Sequence, residues 1–146
     1  MYIIINVIVF LIGSLFGWVM EYTKGRIEND KDLIERNKCG DTVITGVFRQ
    51  CLPLLNIYGV GAVLILNIYN YFKTILSTIE IILLCFVSVL LLECVVASIN
   101  YKLLNKKTWD YGTNICYGGI DIVPSIWWFI LVSITVLSFD NFTNYK

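Results

Sequence analysis

The sequence predicts an all-α fold: a polytopic membrane protein whose four transmembrane helices run up and down as a bundle. Three observations lead there. Hydrophobic residues make up 58% of the 146-residue chain, which places much of it in lipid, since a soluble domain of this size carries far more polar surface. Four apolar runs approach or exceed the roughly 20 residues needed to carry a helix, at about 1.5 Å per residue, across some 30 Å of hydrocarbon. Lysine and arginine then gather on alternate connections, as multi-pass topology requires.

The runs cover residues 2–20, 52–72, 75–99 and 120–139. The first is uncharged up to Glu21. It has no basic leader and no small-residue cleavage signal, so it reads as a retained helix. The second is also uncharged and ends among tyrosines suited to an interface. The third holds Glu80 near its start and Glu93 near its end, and the fourth opens with Asp121 and Pro124 and carries Trp127 and Trp128. Between the first two runs, residues 21–50 form a polar loop of mixed charge, and residues 1–146 are read as one membrane domain. Lys24, Arg26, Lys31, Arg36, Lys38 and Arg49 lie in that loop and Lys102, Lys106 and Lys107 in the connection 100–119, leaving Lys73 and Lys146 opposite. Nine against two puts loops 21–50 and 100–119 in the cytoplasm and both termini outside, in a multi-pass protein of the cell membrane.

Composition also excludes. Net charge is zero and histidine is absent, so neither a basic nucleic-acid surface nor a His-dependent metal, proton-shuttle or triad site is expected. No phosphate-binding loop, H-E-x-x-H, G-x-S-x-G or dinucleotide fingerprint occurs, so no catalytic residue is assigned and an enzyme is the weaker expectation. The five cysteines, Cys39, Cys51, Cys85, Cys94 and Cys116, contain no C-x-x-C pair and read as structural thiols.

An up-and-down topology brings the end of run one, the start of run two, the end of run three and the start of run four to one membrane face. Trp18, Glu21, Arg49, Tyr58, Glu93, Trp109, Asp110, Tyr111 and Asp121 fall at that face and form the candidate binding site. An acid at the bilayer centre costs about 2.5–3.5 kcal/mol on insertion scales, so acids at one depth point to a hydrated pocket. Clustered carboxylates also need a positive partner: a divalent cation, an organic cation, an arginine such as Arg49, or a retained proton. The plainer readings are acids in headgroup water, an aromatic belt at W-D-Y and S-I-W-W, and Gly59 and Gly61 as helix-packing residues. For the glycines, packing is preferred.

Taken together, Gly17, Trp18 and Glu21, then Pro53 and Tyr58 to Ala62, Leu92 and Glu93, Trp109 to Tyr111, and Gly118, Ser125 and Trp128 form a pattern over nearly the whole chain. It resembles a family of small bacterial membrane proteins labelled putative ABC-transporter type IV, or ABC transporter permease-like. The chain departs from the family pattern at Leu52 and Asn56, where the family carries glycine and proline. The resemblance implies a permease-like transport component. With the site argument, it favours a cation or cationic solute as ligand, and a homo-oligomer or a partner membrane or ATPase subunit in the bilayer. The alternatives are an assembly or regulatory module that meets a protein partner and a metal-dependent lipid head-group enzyme. The absence of a D-x-x-D pair weakens the last.

Overall fold

The computed structural model describes residues 2–28, 57–104 and 113–144. Among them are four helices, α1 (Tyr2–Glu28), α2 (Ile57–Phe72), α3 (Thr78–Leu104) and α4 (Ile122–Asn144), with a short 3₁₀ turn at Ile115–Gly118 and no strand. The all-α expectation holds. Three of the helices are long and apolar enough to cross a membrane, over Tyr2–Met20, Thr78–Leu103 and Ile122–Asn141. The described part of α2 has 16 residues, about 24 Å of helix, and residues 52–56 of the expected second span lie outside the described residues.

Helix ends depart from the apolar runs for physical reasons. Hydropathy marks where lipid stops, whereas a helix continues wherever its backbone bonds can. Accordingly α1 passes Met20 and runs to Glu28 through charged sequence. At the start of α3, the backbone N–H and hydroxyl of Ser77 donate to Glu80 Oε2 at 2.8 and 2.7 Å. The Glu80 N–H reaches back to the serine oxygen at 3.4 Å. This capping box fixes the first turn, so α3 begins at Thr78 rather than at residue 75. Pro124 occupies the first turn of α4, where its missing N–H is not needed.

The chain divides into two compact units, Met1–Val63 and Leu64–Lys146, with the boundary inside α2. In the first unit α1 and the start of α2 meet through small residues. A Cβ on Gly59 would lie 2.6 Å from the Phe10 carbonyl oxygen and closer still to Ser14 Oγ. One on Gly13 would lie 2.7 Å from the Ala62 Cβ. Ser14 is fully buried at this crossing. Lipid tails are as apolar as leucine, so the gain here comes from close backbone approach rather than from hydrophobic expulsion.

In the second unit α3 and α4 form an antiparallel hairpin. Its pairings run from Thr78 with Asp140, through an edge-on Phe86–Phe129 contact at 5.3 Å, to Cys94 with Cys116. Burial on α3 follows every fourth residue: Ile81, Cys85, Val89, Glu93 and Ala97. Trp128, Val132 and Val136 repeat the spacing on α4, as packing along the i, i+4 ridges demands. The opposite face of α3 presents Ile79, Leu83, Val87, Leu91, Val95 and Ile99 outward, a surface suited to lipid and not to water. Hydroxyls within the spans bond to the carbonyl four residues back, as Ser88 does to Leu84 and Thr135 to Leu131. Polar groups are thereby satisfied without solvent.

Candidate functional site

Of the predicted site residues, Glu93 has the most defined environment. It occupies the buried ridge of α3 between Val89 and Ala97 and is 5% exposed, the only charged side chain among the buried residues described. It lies within Thr78–Leu103, a stretch long and apolar enough to cross a membrane. In this unit a carboxylate stands where the helical repeat calls for an apolar residue.

Asp121 immediately precedes α4. Its carbonyl accepts both the Ser125 N–H at 3.1 Å and the Ser125 hydroxyl at 2.6 Å, while its side chain is partly exposed. It thus serves as the N-cap residue, at the end of the helix dipole that favours negative charge. In the first unit the Tyr58 ring lies directly over Gly17, which any side chain at that glycine would strike. Trp18 is the next residue and is partly buried. Glu21 falls on α1, and its side chain lies outside the described residues, as do Arg49, Trp109, Asp110 and Tyr111 altogether. Among the described residues no three His, Cys, Asp or Glu side chains gather as a metal-binding group.

Two features escape the sequence reading. Cys94 and Cys116 form a disulfide across 22 residues, which corrects the expectation that all five cysteines are thiols. The cause is topological: the hairpin returns Cys116 to the same level of α3 as Cys94, with Cα atoms 5.1 Å apart, inside the range a disulfide can bridge. Cys85 remains a buried thiol, and Cys39 and Cys51 lie outside the described residues. The linked turn is unusual in its backbone. Cys116, Tyr117 and Gly118 have φ of 50°, 60° and 86°, and left-handed geometry costs about 1–2 kcal/mol at each non-glycine residue. The Tyr117 ring stacks on Tyr101 at 4.6 Å, and the Thr113 hydroxyl donates to the Ile120 carbonyl at 2.5 Å. The stack holds the turn against α3, and the hydrogen bond closes the segment 113–120 on itself.

The second missed feature is Asp140, at the other end of the hairpin. Its carboxylate accepts from the Tyr69 hydroxyl at 2.7 Å and from the Thr78 hydroxyl at 2.6 Å. Lys73 Nζ stands 5.8 Å from the centre of the Tyr69 ring. This network joins the ends of α2, α3 and α4, and Tyr69 is almost fully buried in it. The signal in the sequence is an acid directly after the apolar run 120–139.

Long helices with apolar outer faces, and hydroxyls on α3 and α4 that bond within their own helix, define a multi-pass α-helical membrane protein. A family model described as putative ABC-transporter type IV matches residues 8–145. The chain belongs to that family, and with its apolar helices this makes it a membrane transport-related protein. Comparison with curated proteins and with solved structures finds no match.

Proposed function

We propose that the protein is a permease-like transport component, in which an acidic pocket at the cytoplasmic face receives a cation or cationic solute. The observation that carries this reading is Glu93: an ionisable group on the buried ridge of a membrane span is costly to keep and is by default a site for a ligand, ion or proton. In this reading Glu21, Asp110 and Asp121 add negative charge at the same face, and Trp18, Tyr58, Trp109 and Tyr111 supply rings against which a cation rests. Arg49 is the alternative counter-charge when the pocket is empty. Such a pocket is too small to be a path by itself, so the working unit is a homo-oligomer or a complex with a partner membrane or ATPase subunit.

Binding of ethidium to the full-length protein in lipid nanodiscs, with displacement by K⁺ or Mg²⁺, tests the reading. Glu93→Gln should weaken the Glu93-dependent binding at least tenfold, while Glu80→Gln, which alters only the cap of α3, should leave it unchanged. Equal affinities for wild type and Glu93→Gln would remove the pocket from the account.

A second reading, an assembly or regulatory module, draws on α1, whose helix continues to Glu28 beyond its apolar stretch. A charged helical extension of this kind offers a protein partner a surface. Deleting residues 26–38 should then abolish capture of an ATPase subunit and leave the helices folded.

A further inference from the structure

The Cys94–Cys116 bond ties the residue next to Glu93 to a turn of left-handed backbone. Cys116, Tyr117 and Gly118 are all left-handed, a run that L side chains do not adopt unaided. Contacts that maintain it include the disulfide at Cys116, the Gly119 N–H donating to the Cys116 carbonyl at 3.1 Å, the Tyr101–Tyr117 stack and the Thr113–Ile120 hydrogen bond. The turn packs on α3, and Gly118 and Gly119 are buried. Ile115 and Tyr117, which flank Cys116, are exposed, and Cys116 itself is partly so. Cys116 is therefore open to a reagent at the exposed side of the turn, while Glu93 beside Cys94 is buried.

The nine-to-two bias of lysine and arginine assigns this end of the hairpin to the cytoplasm. Disulfides in that compartment are transient, catalytic or sensing rather than permanent. We infer that the Cys94–Cys116 bond is a dithiol-cleavable latch that holds the Ile115–Gly118 turn on α3, so that the thiol–disulfide state of the pair controls access to Glu93. This rests on the reading of Glu93 as a ligand-binding acid at the cytoplasmic face.

The chemistry is a two-electron exchange with a dithiol reductant. One thiolate of the reductant attacks the Cys116 sulfur, the S–S bond breaks, and Cys94 leaves as a thiolate that takes up a proton. The second reductant thiolate attacks its own sulfur in the mixed disulfide and releases Cys116, which is also protonated. The protein gains two electrons and two protons, and the dithiol becomes a disulfide. A disulfide oxidant reverses both steps. With the bond cut, the turn loses its covalent tie to α3, and Cys116 and Tyr117 are freer to relax to ordinary backbone angles.

The test uses the full-length Cys39→Ser/Cys51→Ser protein in nanodiscs, oxidised with diamide or reduced with dithiothreitol. Dicyclohexylcarbodiimide, an apolar carboxyl reagent, is added and labelling at Glu93 is read by mass spectrometry. Reduction should raise labelling at Glu93 at least tenfold, and Cys94→Ser/Cys116→Ser should label at the reduced level under either condition. Maleimide-polymer gel shifts on acid-quenched cells complete the test, with the pair expected as thiols in untreated cells and as a disulfide after diamide. Equal Glu93 labelling in both states, or a pair that stays oxidised in untreated cells, would overturn the latch. The ethidium measurement is independent: redox-dependent labelling without Glu93-dependent cation binding would sink the cation reading and leave the latch standing.

Discussion

At the scale of single residues, two polar positions and one glycine decide most of what is specific to this chain. Asp140 accepts two hydroxyl donors, one of them from Tyr69, which is 2% exposed. Asp140→Ala strands that buried hydroxyl, at an expected cost of about 1–3 kcal/mol. Tyr69→Phe removes donor and demand together and should cost less. Thermal denaturation of the two variants and their double mutant checks the order; if the network contributes nothing, the difference and the coupling in the double mutant both vanish. Gly59 is tighter still, since its missing Cβ is the space that Ser14 and Phe10 occupy. Even Gly59→Ala should lose about 1–3 kcal/mol through overpacking, visible as a lower melting temperature in detergent, although alanine is the better helix former. An unchanged melting temperature would mean that α1 and α2 do not cross there.

At the scale of elements, the Ser77–Glu80 capping box sets where α3 starts. Ser77→Ala should destabilise the protein by about 0.5–2 kcal/mol, the usual cost of a lost cap, and hydrogen exchange should quicken in the first turn of α3 and not at Ser88. The same helix shows what the sequence could disclose and what it could not. That residues near 75–99 span a membrane followed from hydropathy. Which face of the span looks inward did not, because Leu91 and Val89 are alike in hydropathy and only packing against α4 separates the exposed one from the buried one. Glu93 stood out in the sequence as a candidate because acids are rare within apolar spans, yet its place on the buried ridge depended on a phase that a uniformly apolar helix conceals. The disulfide was hidden for another reason. A separation of 22 residues has no local signature, and it becomes a contact only once the hairpin closes. Asp140 resembled an ordinary helix end until Tyr69 and Thr78 were placed beside it.

At the scale of the whole molecule, a membrane fold and a family go with one acid buried among the described residues. The orientation proposed from the lysine and arginine bias has both termini outside. A C-terminal alkaline phosphatase fusion should therefore be active and a C-terminal green fluorescent protein fusion dark; the opposite pair of results would invert the topology and take the cytoplasmic setting of the Cys94–Cys116 latch with it. The central claim is that Glu93 is kept on the buried ridge of α3 for transport and not for packing. Its most direct test is ethidium flux into proteoliposomes that hold equal amounts of folded wild-type protein or Glu93→Gln, together with any ATPase subunit that co-purifies. The account predicts flux in the wild type and at least a tenfold loss in the variant, whereas equal flux from two equally folded proteins would contradict it.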